Sequence, residues 1–304
     1  MSADVLSAVR QAVPRLSATE ARIAQVVIDH PERVVDLTIS ELAAVCDSSQ
    51  ATIARFCQSI GFSGYREFRL AIAAATSREQ AARERFELTE SEVDPADSVQ
   101  EVVAKIAYQD ALAIEQTARE VDLDALDRVV AAIVGAGRID LYGVGSSSLT
   151  AQDLQQKLSR IGLTAFCSVD SHLALASAAL QKPGNVAIGF SHSGETLETT
   201  HALSVAHAAG ATTVSITNFP ESSIGRVSDH VLTTQARESL YRSGAMSSRI
   251  AQLALVDFLF VRVAQQMYDQ MTESLRLTYE AVRSQRPVRP ERSERSERSE
   301  RSER

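Results

Sequence analysis

The sequence predicts an all-helical domain followed by an α/β domain whose parallel sheet is covered by helices on both faces. Over the first 77 of its 304 residues, capping-box sequences precede segments whose apolar residues recur at helical spacing. From residue 122 onwards, short apolar runs alternate with helical segments, which is typical of β-α-β units, and five strands are expected at about 138–143, 164–168, 185–190, 211–217 and 230–233. We therefore expect four regions: an all-helical domain over 1–77, a linker and connecting helix over 78–121, an α/β domain over 122–270 and a disordered Glu-Arg-Ser tail over 285–304.

Composition and charge narrow the class of protein. The hydrophobic content of 44% supports a sizeable core, and no apolar run reaches transmembrane length. No cationic leader precedes an apolar segment, so we expect a cytoplasmic protein that binds no membrane. Cys46, Cys57 and Cys167 form neither a CxxC pair nor a metal-like spacing, so we expect core residues, no metal site and no cofactor. The net charge of −8 argues against a protein that coats nucleic acid, yet a small DNA-reading module needs only a local basic patch.

Three predicted helices of the first domain have the spacing of a helix-turn-helix. Capping boxes at Ser17–Glu20 and Thr38–Glu41 begin the first two helices. The third is expected over about Gln50–Ile60 and is ended by Gly61. The polar turn Asp47–Ser49 separates the second helix from the third, as in a helix-turn-helix. The spacing alone leaves two interpretations open: a DNA-reading module, or a helical docking domain with a polar face.

The third helix has one apolar and one polar face. At 100° per residue, four apolar residues share one side and are expected in the core: Ile53, Phe56, Cys57 and Ile60. A recognition helix presents its N-terminal residues to base edges, so Gln50 and Thr52 are candidates for base contact. Arg55, like Arg66 and Arg69, is better suited to phosphate. The candidate DNA-binding residues are Ser49, Gln50, Thr52, Arg55 and Arg66.

The charge of this domain sets a condition on DNA binding. Seven arginines and eight acidic residues in 1–77 give a net charge of −1. Residues 50–72 carry three arginines and one acid, a net charge of +2. A single copy with so few positive charges would bind DNA weakly. DNA binding therefore requires a homodimer or a larger assembly, such as a homotetramer, that presents several copies of the helix to one duplex.

The connecting helix is predicted from a third capping box, Ser98–Glu101. It carries apolar residues at helical spacing, among them Val102, Val103, Ile106 and Ala113. Such a stripe serves either as a contact between copies or as a surface that packs on the α/β domain of the same chain. The sequence favours neither role.

Two hydroxyl-rich turns stand out in the α/β domain. One follows the predicted strand 138–143 and reads Gly143-Val144-Gly145-Ser146-Ser147, and the other follows the strand 185–190 and reads Ser191-His192-Ser193-Gly194-Glu195-Thr196. A strand, a Gly/Ser turn and a helix start form a cradle for anions, because helix N-termini offer unpaired N–H groups. Hydroxyls donate further hydrogen bonds to phosphate oxygens. The alternative is that both are tight strand–helix turns capped by serine.

The first domain closely resembles the DNA-binding half of RpiR/MurR-type transcriptional regulators. The resemblance is carried by Thr38–Ala43, Ser49–Cys57 and Gly61–Phe68. Those proteins join such a helix-turn-helix to a sugar isomerase (SIS) domain, and the similarity covers about residues 1–75 and 120–268. It implies a flavodoxin-like five-stranded parallel sheet. It also implies a non-enzymatic regulator of sugar or amino-sugar metabolism, whose affinity for double-stranded operator DNA changes when a sugar phosphate binds.

The same resemblance implies the residues that bind the effector. The phosphosugar-binding hydroxyls of the family fall on Ser146 and Ser147 in the first turn and on Ser191, Ser193 and Thr196 in the second. Glu195 beside them either accepts a sugar hydroxyl or caps the helix. His192 is a sugar contact in one interpretation and a solvated turn residue in the other.

A third stretch, Arg242–Asp257, resembles the signature that opens the last SIS helix. In the isomerase domain of glucosamine-phosphate synthase, a catalytic relative, the comparable stretch carries a glutamate base and a lysine. Arg242 and Arg249 stand at those positions here. Because arginine stays protonated, it cannot abstract a proton, which argues against isomerisation. Arg242 is instead a candidate contact for an acidic part of the effector, or a partner in an internal salt bridge.

Two enzymatic alternatives remain weaker. The first is a SIS-fold sugar-phosphate isomerase with an accessory helical domain, against which the arginine at the position of the base counts. The second is a dinucleotide-binding oxidoreductase, because Gly143-x-Gly145-x-x-Ser148 half-matches the Rossmann fingerprint and Asp170 ends the second strand. A serine replaces the third glycine of that fingerprint, and the second hydroxyl-rich turn has no place in it.

Overall fold

The computed structural model describes residues 4–90, 92–238 and 246–283. Within those ranges the chain forms fourteen α-helices, one short 3-10 helix and five β-strands. The described strands all lie between Ile139 and Thr233, after a wholly helical first part. The predicted succession of an all-helical part and an α/β part is confirmed. Arg242 and the Glu-Arg-Ser tail over 285–304 lie outside the described residues.

The first part of the chain consists of short helices followed by a long one. Both of its predicted capping boxes are present, with the hydroxyls of Ser17 and Thr38 each accepting a hydrogen bond from an amide three residues further on. Gly61 follows the third predicted helix with a φ of 94°, in the left-handed region that favours glycine. The helices are α1 (Val5–Ala12), α2 (Ala18–Asp29), α3 (Pro31–Asp36), α4 (Ile39–Val45), α5 (Gln50–Ser59) and α6 (Tyr65–Arg85).

Aromatic side chains of α5, α6 and the loop between them form the centre of the helical core. Phe68 is fully buried and packs edge-to-face against Phe56 and Phe62, with ring centroids 5.8 Å and 5.5 Å away. The apolar face predicted for the third helix is buried, which confirms that prediction. Its members are Ile53, Phe56, Cys57 and Ile60.

Helix α6 is longer than the sequence predicts. It continues to Arg85, through charged residues expected to belong to the linker. Residues 78–85 are Arg, Glu, Gln and Ala, which favour helices, and neither Gly nor Pro interrupts them. The first half of α6 contributes Phe68 and Ile72 to the helical core, whereas Ala82 is buried outside that core. Because α6 crosses residue 77, the domain boundary there stays a prediction.

Helix α7 (Val99–Glu120) connects the two parts of the chain. A 2.7 Å ion pair between Lys105 and Asp97, both nearly buried, holds the preceding loop against this helix. Helix α7 lies along α13 (Ser247–Gln266) and so packs on its own α/β domain, but only part of the predicted stripe is used, since Ala113 is buried whereas Val103 is 63% exposed. Its buried residues include Tyr108, Ala113 and Thr117.

The α/β part contains a five-stranded parallel sheet with the order β2-β1-β3-β4-β5. This is the flavodoxin-like order that the family resemblance implies, and it is confirmed. Each strand begins at its predicted start or one residue after it, and ends where predicted. The strands are β1 (Ile139–Gly143), β2 (Ala165–Ser168), β3 (Val186–Phe190), β4 (Thr212–Thr217) and β5 (His230–Thr233).

Helices cover both faces of the sheet. Successive strand residues contact opposite layers, so that Leu141 packs with α8, α9 and α13, whereas Tyr142 packs with α10, α11 and α12. A further helix, α14, follows α13 and packs beside α9. The helices are α8 (Leu123–Val134), α9 (Ser146–Arg160), α10 (Ser171–Ala179), α11 (Leu197–Ala208), α12 (Ser223–Arg226) and α14 (Tyr268–Arg283).

Helix length and hydropathy bear on membrane insertion. Among the described residues, no single helix is long and apolar enough to cross a membrane. Helices α13 and α14 pass that test as a pair, by length and composition alone, and the chain bends by 105° between them.

Phe68→Ala is expected to lower the free energy of unfolding by about 3–5 kcal/mol, because it empties a fully buried site between two rings. Urea unfolding followed by circular dichroism measures the loss. Phe166→Ala is the control, because that ring is 49% exposed on β2. We expect the control to lose about 1 kcal/mol or less. Equal losses in the two variants would contradict the place of Phe68 in the core.

Candidate functional site

The first hydroxyl-rich turn connects β1 to α9. A Cβ on Gly143 would lie 2.9 Å from the backbone oxygen of Ser147, so the turn keeps its path only with glycine. Gly145 has a φ of 59° and precedes α9 without a side-chain cap. Because glycine has no side chain, the N-cap position of α9 supplies no side-chain acceptor for the first amides of that helix. Together with the helix dipole, they suit an anion.

The second turn connects β3 to α11 and is held by its own hydroxyls. Ser191 is buried, and its Oγ accepts a hydrogen bond from the Gly194 amide at 3.0 Å and lies 3.0 Å from the Thr196 hydroxyl. Ser193 is exposed, and its Oγ accepts from the Glu195 amide at 3.2 Å. Ser191 and Thr196 thus fix the shape of the turn, while the Ser193 hydroxyl faces solvent.

The two turns leave the sheet at neighbouring points. β1 pairs directly with β3, and Gly143 lies opposite Phe190 at the carboxyl ends of both strands. In this strand order the switch point, where ligands bind, lies between those two strands. The fold therefore brings the five predicted hydroxyl residues to one edge of the sheet: Ser146, Ser147, Ser191, Ser193 and Thr196.

The predicted DNA-reading residues lie at the start of α5 and are exposed or half-buried. The Ser49 hydroxyl caps α5 by accepting from the Thr52 amide at 3.1 Å, and Arg55 donates to the Thr52 hydroxyl at 3.2 Å. The Gln50 side chain donates to Ser40 on α4 at 2.9 Å, which ties the two helices of the motif together. Arg66 is exposed in the first turn of α6.

Comparison with known proteins identifies both parts of the chain. Residues 3–79 match the helix-turn-helix domain of the rpiR family, and residues 132–262 match the SIS domain. An HTH-type transcriptional regulator of Caldanaerobacter subterraneus is 36% identical over 92% of this chain and 97% of its own length. The chain belongs to the RpiR family of transcriptional regulators. The resemblance seen in the sequence is thereby confirmed.

Other members of the RpiR family match along nearly the whole chain. The HTH-type transcriptional regulator YbbH of Bacillus subtilis is 31% identical over 94% of this chain and 99% of its own length. Among solved structures, the Vibrio vulnificus NanR protein complexed with ManNAc-6P is 28% identical, with a TM-score of 0.60. That similarity covers 93% of this chain and 100% of the NanR chain.

In this RpiR-family chain, Glu195 is engaged by the neighbouring helix. Its carboxylate accepts from the amide of Ser223 at 2.9 Å and from the hydroxyl of the same residue at 2.6 Å. These hydrogen bonds from Ser223 lower the pKa of Glu195. Because Ser223 is the first residue of α12, the carboxylate ties the start of α12 to the second turn. Of its two suggested roles, Glu195 is thus seen to cap a helix, although the helix is α12 and not its own.

The His192 ring is largely enclosed, in contrast to the solvated alternative. It packs edge-to-face on Phe219 with ring centroids 5.9 Å apart, and its Nδ1 atom is buried with no hydrogen-bond partner among the described residues. Burial lowers the pKa of His192, and the nearby Glu238 carboxylate opposes that shift. The second turn therefore contains an imidazole that burial keeps neutral.

Glu238 is a carboxylate that sequence reasoning missed. It follows β5, and its Oε1 accepts from the Ser248 amide at the start of α13 at 2.7 Å. Its Oε2 is buried and has no hydrogen-bond partner among the described residues. No motif in the sequence marks this residue, because only the fold places the chain after β5 beside the second turn.

Of the two arginines that stand at the family's catalytic positions, only Arg249 lies within the described residues. Arg249 is half-buried in the first turn of α13. Arg242 lies outside the described residues, so its role as an effector contact stays a prediction.

Gly194→Ala is expected to lower the free energy of unfolding by about 2–4 kcal/mol, because backbone strain and overpacking coincide. Gly194 has a φ of 69°, and a Cβ there would lie 1.8 Å from the Ser222 hydroxyl oxygen. Gly184→Ala is the matched control, since its φ is 87° but its Cβ would meet nothing within 4 Å. We expect about 1–2 kcal/mol for strain alone. Scanning calorimetry measures both, and equal losses would rule out crowding at the second turn.

Proposed function

We propose that this RpiR-family regulator binds a phosphorylated N-acetyl amino sugar at the two hydroxyl-rich turns and that binding changes its affinity for operator DNA. The observation that carries the proposal is the adjacency of the two turns at the carboxyl ends of β1 and β3. Their helix-start amides and hydroxyls offer a phosphate many hydrogen-bond donors in one place. The phosphate would contact Ser146, Ser147 and Ser193, while Ser191 and Thr196 hold the turn.

The sugar moiety is proposed from the buried polar atoms beside the turns. His192 Nδ1 and Glu238 Oε2 both lack hydrogen-bond partners within the described residues, and such atoms are costly to leave unsatisfied. Hydroxyl and acetamido groups of a sugar would supply partners for both. NanR of Vibrio vulnificus, a similar protein in complex with ManNAc-6P, favours an amino-sugar phosphate. Glu195 and Arg242 remain candidate contacts of the same ligand.

We further infer that the chain is not an enzyme and acts as a cytoplasmic homodimer or homotetramer. Arg242, at the position of the isomerase base, cannot abstract a proton. The net charge of the first 77 residues, −1, requires more than one copy on the DNA. Exposed apolar side chains in the turns and first helical turns after β1 and β2 support contact between copies: Val144, Leu149, Val169 and Leu173.

The proposed effector is tested by a thermal-shift screen with N-acetylmannosamine 6-phosphate, other hexose 6-phosphates, the unphosphorylated sugars and NADH. A ligand at a hundred times its Kd adds about 2.7 kcal/mol, or roughly 5–11 °C for a domain of this size. We expect such a rise with N-acetylmannosamine 6-phosphate and none with its unphosphorylated form. A rise with NADH alone would contradict the proposal and favour the dinucleotide alternative.

Ser193→Ala is expected to weaken binding of the same ligand by about tenfold or more, because it removes a hydrogen bond to a charged phosphate. Isothermal titration calorimetry measures the affinity. Ser159→Ala is the control, since Ser159 is an exposed serine at the opposite end of α9 from Ser146. Equal affinities in the Ser193 and Ser159 variants would contradict the assignment of the second turn to phosphate.

Arg55→Ala is expected to weaken DNA binding on all sequences alike and to reduce the salt dependence of binding by about one phosphate contact per copy. Binding is measured on duplexes selected from a random library and on an unrelated duplex. Arg128→Ala, which removes an exposed positive charge from α8, is the control and should bind as the wild type does. A changed sequence preference would show instead that Arg55 reads bases.

A further inference from the structure

Residues 234–238, which we call the coupling segment, contact both halves of the protein. They follow β5, and the Thr234 amide donates to Thr217 on β4, extending the sheet by one hydrogen bond. The Gln235 amide donates to the Thr117 hydroxyl of α7 at 3.0 Å. The side chains of Arg237 and Glu238 have partners in different parts of the protein: Arg237 pairs with Glu79 of α6, and Glu238 accepts from the Ser248 amide of α13.

Asn218 ties the coupling segment to the second hydroxyl-rich turn. The side-chain oxygen of Asn218 accepts a hydrogen bond from the backbone amide of Ala236 at 2.8 Å. The backbone amide of Asn218 donates to the backbone oxygen of His192 at 3.0 Å. Glu238 adds a second link, since its carboxylate lies close enough to His192 to oppose the fall in the histidine pKa. A ligand that alters the second turn therefore acts directly on the coupling segment.

Arg237 connects the coupling segment to the DNA-binding half. Its guanidinium lies 2.9 Å from the Glu79 carboxylate of α6, with side-chain exposures of 38% and 17%. Arg10 of α1 shares this site, because its guanidinium interacts with both Arg237 and Glu79. Burial, foremost, and the charge of Arg237 lower the pKa of Arg10 to about 9.

The interface around this ion pair leaves room for a second arrangement. A cavity of about 370 Å³ lies between α1, α6 and α7 and borders Arg237 and Glu79. Seven of its twelve lining residues are charged and four are apolar, and such mixed interfaces are typical of domains that move relative to each other. Because Leu6 and Ala75 of this lining belong to the helical core, α1 and α6 shift together, as one unit, without opening that core.

Helix α6 is the element that would transmit such a shift. It carries Glu79 near its end and Phe68 and Ile72 in the helical core around the recognition helix α5. Because no glycine or proline interrupts α6 between Tyr65 and Arg85, a displacement at Glu79 turns the whole DNA-binding half.

We propose that the Arg237–Glu79 ion pair is the contact through which ligand binding at the second turn changes the position of the DNA-binding half. The proposal rests on the proposed function and adds its regulation. A ligand shifts the equilibrium only if it binds the paired and unpaired arrangements with different affinities. The coupling segment supplies that difference, because Asn218 bonds its Ala236 amide to the second turn while its Arg237 side chain pairs with Glu79 of α6.

The test is hydrogen–deuterium exchange of the full chain with and without saturating N-acetylmannosamine 6-phosphate. In the wild type we expect the ligand to change amide exchange in α1 and α6 by about fivefold or more, the lower end of typical coupling between sites. In Arg237→Gln the ligand should bind within about threefold of the wild-type Kd, yet the exchange of α1 and α6 should no longer respond, because the ion pair rather than the pocket is lost.

Two further variants test the ion pair from its other side and control for the loss of an arginine elsewhere. Glu79→Gln removes the same pair from the α6 side, and the double variant should lose no more of the response than either single one. Arg262→Gln is the matched control: Arg262 is 43% exposed and pairs with Asp127 within the α/β domain at 2.8 Å. This control should keep the full response.

The possible failures are distinguishable. If the wild type binds the sugar phosphate but α1 and α6 do not respond, or if they respond equally in Arg237→Gln, the coupling role is wrong and the proposed function stands. If calorimetry shows no binding of N-acetylmannosamine 6-phosphate to the wild type, the proposed function fails and this proposal fails with it.

Discussion

The adjacency of β1 and β3 is the constraint on which the structure of the candidate site depends. In a parallel sheet covered on both faces, the helices that follow neighbouring strands begin close together, so the backbone amides of their first turns point into one region, an arrangement that suits an anion. Gly143 and Gly194 are needed there because each lies too close to its neighbours for a Cβ. Donors in this region are mostly neutral amides and hydroxyls, so phosphate binding does not require a cluster of positive charges. In the proposed function, discrimination between sugars falls to His192 within the second turn and to Glu238 after β5.

Helix α6 relates that site to the DNA-binding half. It begins in the core around Phe68 and ends at an interface with the α/β part in which charged groups predominate. Burial raises the pKa of Glu120 to about 7 and lowers that of Arg10 to about 9, which means that burial destabilises the charged form of each group. An interface of this kind is weaker than an apolar core of the same area, because desolvation offsets much of the charge attraction. It suits two domains whose relative position must change at small cost.

The sequence predicts the local structure well, because the determinants are local. Capping boxes at Ser17 and Thr38 fix two helix starts, the apolar face of α5 is evident from its spacing, and alternating runs locate all five described strands. The length of α6 was missed, since a charged composition fits an exposed helix as well as a linker. Glu238 and Arg237 were missed for another reason. They lie in an irregular segment with no motif, and their partners, Ser248 and Glu79, are brought to them only by the tertiary fold. The enclosure of His192 has the same origin, because it depends on Phe219 packing from the next strand's end.

The geometry of DNA recognition explains why a modest change at Glu79 would be sufficient for regulation. Glu79 lies 14 residues after Tyr65 (79 − 65), or about 21 Å along α6 at 1.5 Å per residue. A rotation of the helix by about 10° over such a length displaces one end by about 4 Å, slightly more than the spacing of base pairs. Two recognition helices of a dimer must match half-sites about 34 Å apart, so a displacement of that size disrupts one of the two contacts. Because residues 50–72 carry a net charge of only +2, a single copy is expected to bind DNA weakly, and loss of one contact would remove most of the affinity. The DNA affinity of a domain with few positive charges is therefore regulated by a smaller displacement than that of a strongly basic domain.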